Sequence, residues 1–240
     1  MFRSSLATGL GLLLLAGRFS MEAGTYTVKP VRIELSNRQL RTTMLIQNVG
    51  DEPLTIQAHI AAWSAKGAEE ILSDNDDILL NPPIFTVQVG HTQYLRLGLR
   101  HVRPDASEGT YRLILEQVPG PPKPGFAGVD TLLTVSVPIF VKARVFAPQL
   151  VWTLERTSDQ DLRLSVVNRG NAHVQIKKFA LTASGEIEAG FAEGTFTYVL
   201  PHARKEWLIH DGTLAAAGKL LLQGQTDNGD LREDLVPGRP

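Results

Sequence analysis

The sequence predicts an all-β protein of two sandwich domains, and three observations carry that expectation. Thr42, Met44 and Ile46, then Leu54, Ile56, Ala58 and Ile60, recur at every second position, the period of a strand with one buried face. Turn residues separate these runs: Val49-Gly50-Asp51-Glu52-Pro53, Lys66-Gly67, Asn81-Pro82-Pro83, Val89-Gly90-His91 and Pro119-Gly120-Pro121-Pro122, the punctuation of a sandwich of short strands. Finally, Met44 to Gly50 (MLIQNVG) is matched by Leu164 to Gly170 (LSVVNRG). Each phrase runs a strand into Asn and a turn glycine, which favours two sandwiches over one large barrel.

Taken in order, the chain opens with residues 1–23, MFRSSLATGLGLLLLAGRFSMEA. Arg3 precedes an apolar stretch from Leu6 to Gly17, shorter than the roughly 20 residues that span a bilayer. This is the pattern of a signal peptide ending near Ala23. Residues 24–145 are expected to form the first domain, and the boundary falls near Ala143 to Pro148. Residues 146–240 carry the second set of strands: Leu162 to Val166, Val174 to Ile176, Phe196 to Val199, Trp207 to His210 and Leu220 to Leu222. No later run is apolar enough to act as a membrane anchor.

Composition narrows the chemistry. The 240 residues are 43% hydrophobic and 20% charged with a net charge of −1, so neither disorder nor a nucleic-acid-binding surface is expected. There is no cysteine, which excludes disulfides and thiolate metal sites. The histidines, His59, His91, His101, His173, His202 and His210, show no HxH or HExxH spacing and read as surface or strand residues. No nucleophile elbow, P-loop or dinucleotide fingerprint occurs, so an enzyme, a cofactor and a small-molecule substrate are not expected. The acidic groups Glu69-Glu70 and Asp74-Asn75-Asp76-Asp77 read as a solvated hairpin rather than a calcium loop.

Two motifs are more specific. Asn81 to Leu99, NPPIFTVQVGHTQYLRLGL, puts paired prolines before Ile84-Phe85, then a turn and a strand bearing Arg96; Glu108 to Pro119, EGTYRLILEQVP, follows. Together they resemble the signatures of the periplasmic chaperones of pilus and fimbrial assembly, the chaperone-usher pathway. Pro30 to Ile33 is similar to the family's opening strand, Leu45 to Asn48 to the next, and Asp130 to Val141 to the last strand of the first domain.

The resemblance implies two immunoglobulin-like sandwiches set at an angle, in a periplasmic protein without catalysis. Its partners would be pilus subunits and an outer-membrane usher. Such a subunit lacks its final strand, and the chaperone completes it by strand addition. The donor would lie in Gly128 to Val141, with Val129, Thr131, Leu133 and Val135 as the inserted side chains. Periodicity alone also fits a strand whose apolar face fills its own sandwich. Arg32 matches the arginine that grips the subunit's C-terminal carboxylate. The expected second cation, a lysine, is replaced by Pro138, which belongs at a bulge or an unpaired edge and leaves Arg32 to act alone or with Lys142 or Arg144. Glu108 and Lys142 match an interdomain ion pair, completed by an acidic residue of the second domain. From the residues alone, a structural or adhesive β-sandwich protein of the envelope is the alternative.

Overall fold

The computed structural model describes residues 26–101, 106–120, 131–183 and 197–238. The expected signal peptide and Val129 lie outside them. The first sandwich contains β1 (Tyr26–Lys29), β2 (Ile33–Leu35), β3 (Arg41–Asn48), β4 (Leu54–Lys66), β5 (Glu69–Ser73), β6 (Ile78–Asn81), β7 (Ile84–Val87), β8 (Thr92–Leu99), β9 (Gly109–Gln117) and β10 (Thr134–Val141). One sheet has the order β1-β3-β8-β6; the other runs β2-β10-β9-β4-β5, with β7 also paired to β4. Alternate residues of the two sheets, among them Met44, Ile46 and Leu95 against Ile56, Leu113, Leu115 and Ile139, form one buried core. The two-residue period written in the sequence thus becomes one wetter and one dry face in β3, β4, β7 and β9.

The paired prolines have a structural reason. β6 pairs with β8 in one sheet and β7 with β4 in the other, so the chain changes sheets at Pro82-Pro83. A residue at such a switch has no ladder partner for an N–H, and proline has no N–H to leave unpaired. The Pro83 carbonyl is still used, accepting from Ala58 N at 2.7 Å.

The second sandwich is built from β11 (Leu150–Arg156), β12 (Asp161–Asn168), β13 (Val174–Ala183), β14 (Thr197–Val199), β15 (Arg204–His210), β16 (Leu220–Thr226) and β17 (Gly229–Leu235). Its sheets are ordered β11-β12-β15 and β14-β13-β16-β17. One short helix, α1 (Gly212–Ala216), was not legible from periodicity; Asp211 caps it by accepting from Thr213 N and Leu214 N, which satisfies otherwise orphaned donors.

The two sandwiches are joined by packing as well as by the chain. Trp63 and Phe140 come from the first sandwich but belong to the second core cluster, beside Val199 and Ile176. Full burial of such a side chain contributes about 1.5–3 kcal/mol, so these two residues hold the seam. Asn171 stitches it with polar contacts: its Nδ2 donates to Ala106 O and Val145 O, and its carbonyl accepts from Glu108 N at 2.9 Å. Gly170 lies so close under the connecting chain that a Cβ there would be 2.2 Å from Ala147 O; only glycine permits this approach.

Candidate functional site

Among the described residues, the last strand of the first sandwich is only partly covered. β10 pairs along its whole length with β9, but on its other side β2 covers only Ile139, Phe140 and Val141. Gln117 N donates to Leu133 O, so odd-numbered residues bond toward β9 and even-numbered ones point their backbone groups the other way. Lys142 N, donating to Leu35 O on that other side, keeps the same phase. Thr134 and Ser136 therefore turn their backbone groups toward the side that β2 leaves open. Pro138, just outside the stretch paired with β2, is a residue whose missing N–H breaks no ladder.

The strand begins later than the sequence suggested. Leu133 N donates to the Gln117 side chain at 3.3 Å rather than to a backbone carbonyl, and the regular ladder starts at Thr134. Leu133 and Val135 are half-buried against the first core, while Thr131 is exposed. Of the four expected donor side chains, the three among the described residues are thus unequal.

Arg32, immediately before β2, stands at the end of this open lane and is already engaged. Its Nη2 donates to Glu34 Oε1 at 2.7 Å and its Nη1 to Asp227 Oδ2 at 2.9 Å, the latter across the two sandwiches. Burial alone would lower the Arg32 pKa, but the hydrogen bonds to Glu34 and Asp227 outweigh it and hold the charge more firmly. Glu34 also takes Lys142 Nζ at 2.5 Å. Burial pushes the Glu34 carboxyl up, and the hydrogen bonds from Lys142 and Arg32 bring it below its ordinary range.

The anticipated pair of Glu108 with Lys142 is not formed. Lys142 is held by Glu34, and Glu108 is fully buried against a residue that motif spacing gave no reason to select, His173. Glu108 Oε2 accepts from His173 N at 2.8 Å and lies 2.7 Å from His173 Nδ1. The far ring nitrogen, Nε2, is 3.5 Å from Asp227 Oδ2. The imidazole stacks on Phe140 with centroids 3.5 Å apart. Burial drives the His173 pKa down, but Asp227 and Glu108 pull it above its ordinary value. Asp227 is thus an acidic residue of the second sandwich that reaches this seam, bonded to Arg32 and facing His173.

A second cation stands in the seam. Arg112 on β9 is the register partner of Pro138. Its guanidinium lies 3.6 Å from the Trp63 ring centroid and 5.9 Å from that of Tyr198. Its nearest carboxylate, Glu70, is at 3.8 Å, too far for a hydrogen bond, and Glu70 itself is taken by Lys205 Nζ and Trp63 Nε1. Burial pulls the Arg112 pKa below its usual value, only partly opposed by Glu70. The sequence hint was its place in the EGTYR phrase, one strand over from the missing lysine.

Comparison with known proteins gives this geometry a family. Residues 25–146 match the model of the pili and flagellar-assembly chaperones, PapD N-terminal domain. Among curated proteins none matches. Among solved structures, the chain is similar to the CsuC–CsuE chaperone–tip adhesion subunit pre-assembly complex from the archaic chaperone-usher Csu pili of Acinetobacter baumannii, at 20% identity and TM-score 0.66, covering 89% of this chain and 99% of that one. The YadV chaperone follows with 15% identity and TM-score 0.63 over 87% and 98% of the two chains. The SafA pilin–SafB chaperone complex of Salmonella enterica gives 17% and 0.61 over 90% and 98%. These likenesses establish the fold of two immunoglobulin-like sandwiches, and the match over residues 25–146 establishes the lineage: the chain belongs to the pilus-assembly chaperone family, whose members are chaperones and not enzymes.

Proposed function

We propose that this protein is a periplasmic chaperone that holds pilus subunits by lending them a strand and passes them to an outer-membrane usher. One observation carries the reading: β10 has a backbone edge, from Thr134 to Val137, that β2 does not cover. An edge of this kind pairs readily with another chain, and strand addition is the recognition mode that uses it. The similar Csu and Saf structures are complexes of a chaperone with a pilus component, which agrees with such a partner.

The lane dictates a direction. β2 runs parallel to β10, and a strand placed beside Thr134 to Val137 in the same lane would stop at Arg32. A subunit strand whose C-terminus stops there runs parallel to β10. Its carboxylate then meets Arg32, whose donors are shared with Glu34 and Asp227, and Arg112, whose nearest carboxylate among the described residues, Glu70, lies beyond hydrogen-bond distance at 3.8 Å. A guanidinium offers two parallel N–H donors to a carboxylate, and Arg112 supplies them where Pro138 has replaced a cation. The donor side chains come from the segment up to Val135: Val129, Thr131, Leu133 and Val135, with Leu133 and Val135 leaving the margin of their own core to enter the subunit.

Co-expression with a pilus subunit of the same organism in a periplasmic system tests this. The subunit is expected to remain soluble and to co-purify with the chaperone. A subunit equally soluble alone, or a chaperone that never co-purifies with it, overturns the reading.

A further inference from the structure

The seam contains a titratable group that strand donation does not require. His173 lies between two carboxylates, one from each sandwich, with its ring pressed on Phe140. Glu108 has a side chain with no solvent exposure, and one of its oxygens, Oε1, finds no partner among the described residues. Its only cationic partner there is the imidazole of His173. A buried carboxylate with no cation is strongly unfavourable, so the charge on His173 decides whether Glu108 is tolerated.

We propose that His173 is a pH-sensitive latch between the two sandwiches. Charged, the imidazolium donates from Nδ1 to Glu108 and presents Nε2–H to Asp227. Neutral, with Nδ1–H kept on Glu108, it turns a lone pair toward the Asp227 carboxylate. It also leaves Glu108 buried without a compensating charge. Asp227 then relies on Arg32 and on Gln175 N, which donates to its Oδ1 at 2.8 Å. Among the described residues, the charged and titratable groups around the ring are Glu108 before β9, Asp227 after β16, Arg32 before β2, linked through Glu34 to Lys142, and Tyr198 of β14, whose ring centroid is 5.7 Å away. Phe140 and Phe146 close the remaining sides with apolar surface.

The direction follows from the charge. Because the ring holds its proton more tightly in the folded protein than its ordinary value of 6.5, the stabilisation is complete below about that pH. It is lost as pH rises through the folded value. The latch is closed in mildly acidic surroundings and slackens in alkaline ones. It stands whether or not β10 donates a strand.

The chain has no cysteine, so spin labels can be attached at Thr27→Cys and Asp230→Cys, exposed positions on opposite sandwiches. The distance distribution between the labels is expected to be narrow at pH 6 and broader or shifted at pH 9, with a midpoint matching the His173 ring titration followed by NMR. In His173→Gln, which can hydrogen-bond but not ionise, the distribution should be the same at both pH values. In Glu108→Gln the ring titration should move downward. A label distance that does not change between pH 6 and 9, or a His173 ring that titrates at or below the ordinary histidine value, overturns the proposal. Should His173→Gln fail to fold, the agreement of the two midpoints in the otherwise unaltered labelled protein decides it.

Discussion

Asn48 and Asn168 hold the same position in the two sandwiches. Each is fully buried at the end of a strand, and each uses its side chain to close the following turn. Asn48 Nδ2 donates to Glu52 O and Val87 O while its Oδ1 accepts from Gly50 N. Asn168 Nδ2 donates to Ala172 O and Val199 O while its Oδ1 accepts from Gly170 N. The repeated Asn-x-Gly phrase is therefore a corner built twice: the side-chain amide satisfies backbone groups that the end of a strand leaves orphaned.

Asn48→Ala and Asn168→Ala are each expected to lower stability by about 2–4 kcal/mol, since either change leaves several buried backbone groups unpaired. Asp in either place should cost nearly as much, because it cannot donate. Urea denaturation checks both. A loss below about 0.5 kcal/mol would show that water replaces the amide.

The two seam arginines should separate by readout. Arg112→Ala is expected to weaken subunit capture by one or two powers of ten, the effect of losing charge-assisted hydrogen bonds worth roughly 1.5–3 kcal/mol. Arg112→Lys should recover only part of it. Arg32→Ala should also reduce thermal stability, because it takes one partner each from Asp227 and Glu34 at once. Full capture by Arg112→Ala, with loss in Arg32→Ala, would return the carboxylate to Arg32.

Asp227 links the arginine and the histidine, and its acid response follows from that. Burial raises its pKa, but the neighbouring His173 ring and the hydrogen bonds from Gln175 N and Arg32 bring it below the ordinary 3.8. A carboxylate depressed in this way adds stability that is present above the unfolded value and is lost as pH falls through the folded one. Asp227→Asn should therefore be less stable than the parent at pH 6, by about 1–3 kcal/mol, with the gap closing in strong acid. Denaturation midpoints from pH 6 down to 2 measure it. A gap independent of pH would mean that shape rather than charge matters at this position.

What the sequence made legible was periodic or local. The alternation of Leu54, Ile56, Ala58 and Ile60 depends on one strand, and the turns at Asn81-Pro82-Pro83 and after Asn48 and Asn168 depend on a few adjacent residues. The partner of Glu108 did not reduce to such a rule. His173 lies 65 positions away, where only the meeting of two sandwiches brings it close, and an isolated histidine carries no spacing to reveal that. Arg112 was overlooked for a related reason. Its importance comes from standing beside Pro138 on the neighbouring strand, a relation of register that a chain read one strand at a time does not show.

The open edge itself can be tested by proline. Ser136 points its N–H away from β9, in the same phase as Pro138 two residues later, so Ser136→Pro removes no backbone hydrogen bond among the described residues. A strand residue before proline keeps its extended conformation, which suits Val135. Val137 is the contrast: its N–H bonds toward β9, and Val137→Pro should cost about 3 kcal/mol or more by breaking the ladder and disturbing a buried side chain. Ser136→Pro is expected to retain nearly the parent melting temperature while losing subunit capture, because an added strand would find no donor at the middle of its lane. Thermal unfolding and pull-down of the subunit, run on both variants, separate folding from binding. A stable Ser136→Pro protein that still captures subunit at the parent level would mean that the contact is made by side chains alone, and strand addition along β10 would fall.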